Sequence, residues 1–146
     1  MSIGQTSSLQ NFLTNPFKAK IKKKVLVVED ELPLLQILVD TLNKKGYEVL
    51  SAKDGEEGLD VALKKYPDLI LLDLLMPKMD GMHLLSHLRL NGDEWGKSVQ
   101  VIILTNLNDK NAMEQAIKAG VKHYLLKSEY KLEDIMKKVA EVLGES

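Results

Sequence analysis

The feature that most constrains the fold is a regular alternation between short apolar runs and longer segments with helical periodicity. Five apolar runs of strand length follow one another along the chain, at residues 25–28, 49–50, 69–72, 101–104 and 124–126. The first, third and fourth runs are continuous rather than alternating. Such runs are typical of strands that are buried on both faces of a parallel sheet.

Five segments carry apolar residues at helical spacing. The first has Pro33 in its opening turn and Gly46 just beyond its end, which are favoured start and stop positions. The other stripes are Leu59, Ala62, Leu63 and Tyr66; Met82, Leu85 and Leu88; Met113, Ala116 and Ile117; and Leu132, Ile135, Met136, Val139 and Leu143. Strands alternating with helices predict a doubly wound α/β fold with a parallel sheet, although the alternation alone does not fix the strand order.

Composition excludes several classes of protein. The chain has 146 residues, of which 45% are apolar and 28% charged, as expected of one soluble domain. The absence of cysteine excludes disulfides and thiolate catalysis, and suits the reducing cytoplasm in which we expect the protein to function. A net charge of −1 gives no footprint for nucleic acid, and no apolar run is long enough to span a membrane. Glycine-rich nucleotide-binding loops of the two common kinds are also missing.

The N-terminal residues differ in charge from the rest of the chain. Residues 1–24 contain no acid and carry five lysines, Lys18, Lys20, Lys22, Lys23 and Lys24. We expect residues 1–22 to form a basic, disordered extension. The alternative is a docking arm with the apolar anchors Leu9, Phe12, Leu13 and Phe17. Residues 23–146 then form the folded domain, with no residues left for a second one.

Polar residues follow the apolar runs where the predicted strands end. These residues are Glu29, Asp30 and Glu31 after the first run, then Asp73, Thr105 and Lys127 after the third, fourth and fifth. Ligands of open α/β sheets bind beyond the carboxyl ends of the strands, so we expect these side chains to converge. Each has an ordinary explanation by itself, such as a helix cap. Asp73 is the hardest to explain in that way, because it lies among leucines and a buried, unpaired charge is unfavourable.

Such a set of side chains suits one kind of chemistry. Clustered carboxylates bind hard divalent cations, and Mg²⁺ typically takes one or two carboxylates together with water and phosphate oxygens. An aspartate can attack phosphorus, and a cation offsets the repulsion between that carboxylate and an anionic donor. An ammonium and a hydroxyl can pair with the phosphoryl oxygens. The strand ends therefore indicate Mg²⁺-dependent phosphoryl transfer.

Several segments of the chain resemble the receiver domain of bacterial two-component response regulators. The strongest is LLDLLMPKMDG at residues 71–81, which resembles the phosphoacceptor strand of that family and the loop after it. Residues 27–31, 103–105 and 119–127 support the resemblance, which covers about residues 23–146. It implies a flavodoxin-like, five-stranded parallel sheet with strand order 2-1-3-4-5 and five helices.

The resemblance implies a role for each matching residue. Asp73 is expected to be the phosphoacceptor, and Thr105 and Lys127 are expected to bind the phosphoryl group. The expected Mg²⁺ ligands are Asp30, Asp73, the backbone carbonyl of Leu75 and, through water, Glu29. Thr105 and Tyr124 are the expected switch residues, with Tyr124 changing rotamer on activation. The ordinary interpretation of Tyr124 is a half-buried tyrosine on an edge strand, and both interpretations can hold.

The sequence departs from the usual family pattern beside two site residues. Ser128 follows the site lysine where the family usually has proline, so we expect a less fixed loop without a proline isomerisation step. Asn106 follows the site threonine where a small residue is usual, and its amide can restrict access to the site. Leu75 and Leu107, each two positions beyond a key residue, cannot orient a hydrolytic water. They predict a long-lived phosphoryl state.

The expected function is that of a signalling module rather than a turnover enzyme. The resemblance implies that a sensor histidine kinase donates the phosphoryl group. Phosphorylation would then re-shape the surface of the fourth predicted helix, the fifth strand and the fifth predicted helix. Because no residues remain for an output domain, a separate downstream protein, or self-association through this face, would respond to the change.

Two alternatives belong to other classes of function. A Mg²⁺-dependent phosphatase of the haloacid-dehalogenase type carries a second acid two residues after its nucleophile, where this chain has Leu75. A pseudo-receiver binds partners without phosphorylation, but such proteins generally lack the nucleophile or the acidic pair, and both are present here. Ser128 and Asn106 are the features that keep the pseudo-receiver as an alternative.

Two histidines and one tryptophan have no role in this interpretation. His83 and His87 are four residues apart on the third predicted helix, a spacing compatible with a metal pair. No third ligand completes that site, so a solvated helix face is the favoured interpretation. Trp95 is predicted to lie in a polar loop at residues 91–98, as a packing lid rather than a ligand.

Overall fold

Five parallel strands form one sheet at the centre of the protein. The computed structural model describes residues 21–91 and 93–145. The strands are β1 (Lys24–Val28), β2 (Glu48–Ala52), β3 (Leu69–Leu72), β4 (Gln100–Thr105) and β5 (His123–Leu126). Their order across the sheet is β2-β1-β3-β4-β5, and every neighbouring pair is parallel. The predicted flavodoxin-like order is therefore confirmed.

Six helices connect and follow the strands in the described residues, one more than predicted. They are α1 (Leu32–Lys44), α2 (Gly55–Lys65), α3 (Gly81–Asn91), α4 (Glu94–Ser98), α5 (Lys110–Lys118) and α6 (Leu132–Val142). The additional helix is α4, which occupies part of the segment that was predicted to be a loop. The fourth and fifth helices of the sequence prediction correspond to α5 and α6.

Trp95 lies in helix α4, so the prediction that it lies in a loop was wrong. Asp93 caps α4, and its side chain accepts a hydrogen bond from the backbone N–H of Gly96 at 3.1 Å. The indole Nε1 of Trp95 donates to the carbonyl oxygen of Pro67 at 2.9 Å, and its ring meets that of Tyr66 edge-on. A helical turn is favoured over a loop here because capping and tertiary contacts together outweigh the polar composition.

Two apolar cores cover the two faces of the sheet. One contains side chains of α2, α3 and α5, including Leu59, Leu84 and Ala116. The other contains side chains of α1 and α6, including Leu38 and Val139. The apolar residues of β1, β3 and β4 are buried, which confirms that the continuous runs mark strands covered on both faces. The two layers cover the faces of the sheet, and the carboxyl ends of the strands lie at its edge between them.

Most of the predicted N-terminal extension, residues 1–20, lies outside the described residues. Ile21, close to the first strand, is almost fully exposed. Among residues 21–91 and 93–145, every helix is too short or too polar to cross a bilayer.

Candidate functional site

The central strands bring two carboxylates to the same edge of the sheet. Val28 at the end of β1 lies opposite Leu72 at the end of β3, so the next residues, Glu29 and Asp73, leave the sheet together. The backbone N–H of Asp73 donates to the carbonyl oxygen of Val28 at 3.1 Å, which extends the pairing of the strands by one residue. The register of two buried strands therefore fixes the position of both acids.

Three carboxylates form a cluster at this edge. Glu29, Asp30 and Asp73 each offer an oxygen, and these oxygens lie within 4.8 Å of one another. Glu29 and Asp73 are only 2% and 3% exposed, whereas Asp30 is half-buried. The sequence predicts that these three side chains converge, and the structure brings them together.

Lys127 is the cation of the site and contacts three acids. Its Nζ lies 2.7 Å from Glu29, 3.0 Å from Asp73 and 3.1 Å from Glu31. The sequence predicts that Lys127 converges with Asp73 but indicates no role for Glu31, which is about half exposed. Three acids contact this ammonium and Asp30 lies beside two of them, so the site carries excess negative charge. Glu31 competes with the other acids for the same ammonium.

Burial and this local charge shift the pKa values of two groups. Burial raises the pKa of Glu29 to about 7, although the hydrogen bond from Lys127 acts in the opposite direction. Burial alone would lower the pKa of Lys127, but hydrogen bonds to Glu29 and Asp73 outweigh it and raise that pKa. Lys127 therefore stays charged at neutral pH, while Glu29 is poised to exchange its proton near pH 7.

The stability of the protein is expected to depend on pH through Glu29. Its pKa is about 7 in the folded chain against an ordinary value of 4.5. The folded state therefore binds the proton more tightly, and the contribution of Glu29 to stability is lost as the pH rises through this interval. Without divalent cations, the free energy of unfolding of the wild type should fall relative to Glu29→Gln by roughly 1–3 kcal/mol between about pH 5 and pH 8.

Urea denaturation of both proteins across this pH range measures the effect. Burial lowers the pKa of His123, so this residue makes both proteins more stable as the pH rises. The effect of Glu29 is therefore read from the difference in free energy of unfolding between the two proteins. A difference that is constant with pH would show that Glu29 titrates normally.

One backbone segment links the two predicted switch residues. Thr105 is fully buried at the end of β4, and its Oγ1 accepts a hydrogen bond from the backbone N–H of Leu107 at 3.2 Å. The hydroxyl of half-buried Tyr124 donates to the carbonyl oxygen of the same Leu107 at 2.6 Å. A displacement of Leu107 would therefore alter a hydrogen bond of Thr105 and one of Tyr124. Tyr124 also packs against the core, in line with its ordinary interpretation.

Leu75 lies in the loop between β3 and α3. Its backbone N–H donates to Oδ1 of Asp73 at 3.1 Å, which fixes one carboxylate oxygen and leaves Oδ2 to Lys127. The Leu75 side chain is 50% exposed. This side chain contributes no polar group to the site.

The two histidines of α3 do not join the acidic cluster. His83 and His87 both lie on the exposed face of α3, and Nδ1 of His83 is 2.9 Å from Oδ1 of Asp80. Within the described part of the chain, the group of residues suited to a metal ion consists of Glu29, Asp30 and Asp73. A solvated helix face accounts for the histidines.

The donor set of the cluster fits a hard divalent cation. Its ligand atoms are carboxylate oxygens, which Mg²⁺ prefers over nitrogen or sulfur. Two of the carboxylates are buried and share a single lysine, so a second cation would relieve their mutual repulsion. Glu29, Asp30 and Asp73 are the described side chains that could hold it.

The fold and the site together define a flavodoxin-like α/β protein with an acidic site at the carboxyl edge of its sheet. The family model of the response regulator receiver domain matches residues 25–140. The chain therefore belongs to the response regulator receiver domain family, whose members are signalling modules of two-component systems.

Individual relatives agree with this assignment. The chain is 39% identical to the probable transcriptional regulator ycf27 of Porphyridium aerugineum over 106 residues, which are 73% of the chain and 42% of the relative. It is 30% identical to sporulation initiation phosphotransferase F of Bacillus subtilis over 68% of the chain and 77% of that protein. The chain thus spans less than half the length of the ycf27 relatives.

Solved structures share the fold over nearly their whole length. The chemotaxis response regulator CheY4 of Vibrio cholerae superposes with a TM-score of 0.75 at 30% identity, covering 84% of the chain and 99% of CheY4. A CheY of Borrelia burgdorferi, solved in a complex with CheX, BeF₃ and Mg, gives a TM-score of 0.74 at 27% identity, covering 84% of the chain and 90% of that structure.

Proposed function

We propose that Asp73 accepts a phosphoryl group in a Mg²⁺-dependent reaction and that a sensor histidine kinase is the physiological donor. The observation that carries this proposal is the geometry of Asp73, whose Oδ2 lies 3.0 Å from Lys127 while its other oxygen is held by the backbone of Leu75. Membership of the receiver family supports the same conclusion. Residues 23–146 would form the responsive domain.

The proposed transfer forms one bond and breaks one. A carboxylate oxygen of Asp73 attacks phosphorus, and the P–N bond of the phosphohistidine breaks. The imidazole leaves with the electron pair of that bond and takes a proton from solvent. Lys127 and Thr105 would then pair with the phosphoryl oxygens as ammonium and hydroxyl donors. Mg²⁺ bound at Asp30 and Asp73, assisted by the Leu75 carbonyl and through water by Glu29, would offset the negative charge.

The response to phosphorylation would pass through Leu107. A phosphoryl group that engages the Thr105 hydroxyl acts on a side chain whose oxygen already accepts from the Leu107 N–H. The Leu107 carbonyl in turn receives the Tyr124 hydroxyl, so a shift there biases the Tyr124 rotamer. The surface of α5, β5 and α6 would change as a result and bind a downstream protein or a second copy of the chain.

Incubation with acetyl phosphate tests whether the chain accepts a phosphoryl group at all. We expect intact mass spectrometry to show one phosphoryl adduct in the presence of Mg²⁺ and none in the presence of EDTA. The absence of an adduct from acetyl phosphate and from a histidine kinase, with Mg²⁺ still bound, would instead favour a phosphorylation-independent pseudo-receiver.

The phosphorylated state is expected to decay slowly. Leu75 is half exposed and Leu107 half-buried, and neither side chain can hydrogen-bond a water molecule for attack on phosphorus. Replacing both with polar residues, as in Leu75→Asn with Leu107→Glu, should shorten the half-life of the adduct by about tenfold or more. Loss of the adduct is followed by mass spectrometry after the donor is removed. Rapid decay in the wild type that stays rapid in the double variant would contradict this prediction.

A further inference from the structure

The loop between β3 and α3, residues 73–80, is closed on itself at its base. The backbone N–H of Gly81 donates to the carbonyl oxygen of Leu74 at 3.1 Å. A Cβ atom at Gly81 would overlap the carbonyl oxygen of Asp73, so the first turn of α3 packs directly on the backbone of the site. The two ends of the loop are thereby held together.

The last part of the same loop contacts the first residues of α2 and the residue before them. A Cβ atom at Gly55 would overlap the carbonyl oxygen of Met79, which means that the two backbones touch. Beside this contact, Oδ2 of Asp54 lies 3.6 Å from Nζ of Lys78. Asp54 is itself fixed, because its Oδ1 caps α2 by accepting from the N–H of Glu57 at 2.8 Å. The start of α2 is therefore a rigid support for the loop.

Lys78 adopts a backbone conformation that lysine rarely takes. Its φ angle is +66°, in the left-handed region that favours glycine. A residue in this conformation persists when its surroundings hold it there. The contacts available to do so are those of Lys78 with Asp54 and of neighbouring Met79 with Gly55.

We infer that Asp54 and Gly55 are positioning residues for the phosphoryl-transfer site, because they hold the loop whose Leu75 carbonyl is the expected third metal ligand. This inference rests on the proposed function. The Lys78 side chain is 64% exposed, so its ion pair with Asp54 contributes little to holding the loop in place. The loop is held mainly by the close approach of the Gly55 and Met79 backbones, which leaves no room for a methyl group at position 55.

Paired glycine substitutions separate positioning from general stability. Gly55→Ala displaces the loop, whereas the matched control Gly58→Ala, in the same helix, meets side chains of Val28 and Leu84 in the core instead. Mg²⁺ affinity is measured by titration of backbone amide signals, and the free energy of unfolding is measured without Mg²⁺. We expect Gly55→Ala to weaken Mg²⁺ binding by about tenfold and Gly58→Ala to change it by less than about twofold.

A second variant covers the case in which Gly55→Ala does not fold. Asp54→Ala removes both the cap of α2 and the ion pair with Lys78 but leaves the apolar core intact, so the chain should remain folded while the loop is held less firmly. We expect faster amide hydrogen exchange in residues 75–80 without Mg²⁺, and weaker Mg²⁺ binding. Unchanged exchange together with unchanged affinity in Asp54→Ala, or equal loss of affinity in Gly55→Ala and Gly58→Ala, would overturn the inference. A wild type that binds no Mg²⁺ would instead overturn the metal role in the proposed function, and the exchange measurement would still test the support of the loop.

Discussion

Replacing Lys127 with methionine is expected to lower the free energy of unfolding by about 3–5 kcal/mol near neutral pH without divalent cations. The Lys127 side chain is only 10% exposed, and methionine keeps its volume but removes the ammonium, which lies within 3.1 Å of three acids. Glu29 and Asp73 would then be buried without a cationic partner, each keeping only a hydrogen bond from a backbone N–H. Unpaired buried carboxylates strongly destabilise a folded protein, so this variant should show one of the largest effects in the chain.

A surface lysine provides the matched control. Lys97, at the end of α4, is 57% exposed and makes only a local ion pair with Glu94, so Lys97→Met should change stability by no more than about 0.5 kcal/mol. Mg²⁺ should stabilise Lys127→Met more than it stabilises the wild type, because the cation replaces the missing charge. Chemical denaturation with and without Mg²⁺ measures both effects. A loss of less than about 1 kcal/mol in Lys127→Met would show that water already screens the carboxylates.

Replacing Arg89 with methionine is expected to be comparably destabilising, by about 3–5 kcal/mol. The guanidinium of this α3 residue donates to three backbone carbonyls, those of Ala119 at 2.7 Å, Gly96 at 2.9 Å and Val99 at 2.8 Å. It thereby joins the ends of α4 and α5 to α3. Burial lowers the pKa of Arg89, and its partners are neutral carbonyls that would lose their donor in the variant.

Two further substitutions sharpen this test. Arg89→Lys keeps the charge but cannot reach three carbonyls in a fixed fork, so it should recover less than half of the loss. Ser86→Ala, on the exposed side of the same helix, should be within about 0.5 kcal/mol of the wild type. Thermal and urea denaturation of the three variants measure the differences. Equal stability of Arg89→Met and Ser86→Ala would show that water satisfies the carbonyls instead.

The sequence predicted best what depends on strands buried on both faces. The run at residues 69–72 coincides with β3, because four consecutive leucine and isoleucine residues can be buried only where helices cover both sides of the sheet. The edge strands were predicted less well. The predicted apolar run at residues 49–50 is only part of the five-residue strand β2, because Glu48 and Ser51 are polar and exposed and give no hydrophobic signal.

The acids of the site could be predicted because each directly follows a strand. Asp73 is placed by the register of β3 against β1, and that register follows from the buried runs themselves. The contact of Lys127 with Glu31 joins residues 96 positions apart, and it depends on how two loops approach each other. The same holds for Arg89, since its three acceptors are backbone carbonyls and backbone groups leave no mark in the sequence.

The contact between Gly55 and Met79 could not be predicted from the sequence either. A glycine after an aspartate reads as an ordinary helix start, and the sequence does not show which backbone will lie against it. Only the packing of the loop after β3 onto α2 reveals that position 55 has no space for a side chain.

The identity of the phosphorylated residue is the central claim, and peptide mapping tests it most directly. The wild type, Asp73→Asn and the matched control Asp80→Asn are treated with acetyl phosphate and Mg²⁺, and adducts are located by tandem mass spectrometry. Asp80 lies in the same loop but outside the acidic cluster, where its carboxylate contacts His83. We expect the wild type and Asp80→Asn to carry one phosphoryl group on Asp73, and Asp73→Asn to carry none. An adduct of equal yield in Asp73→Asn would contradict the account.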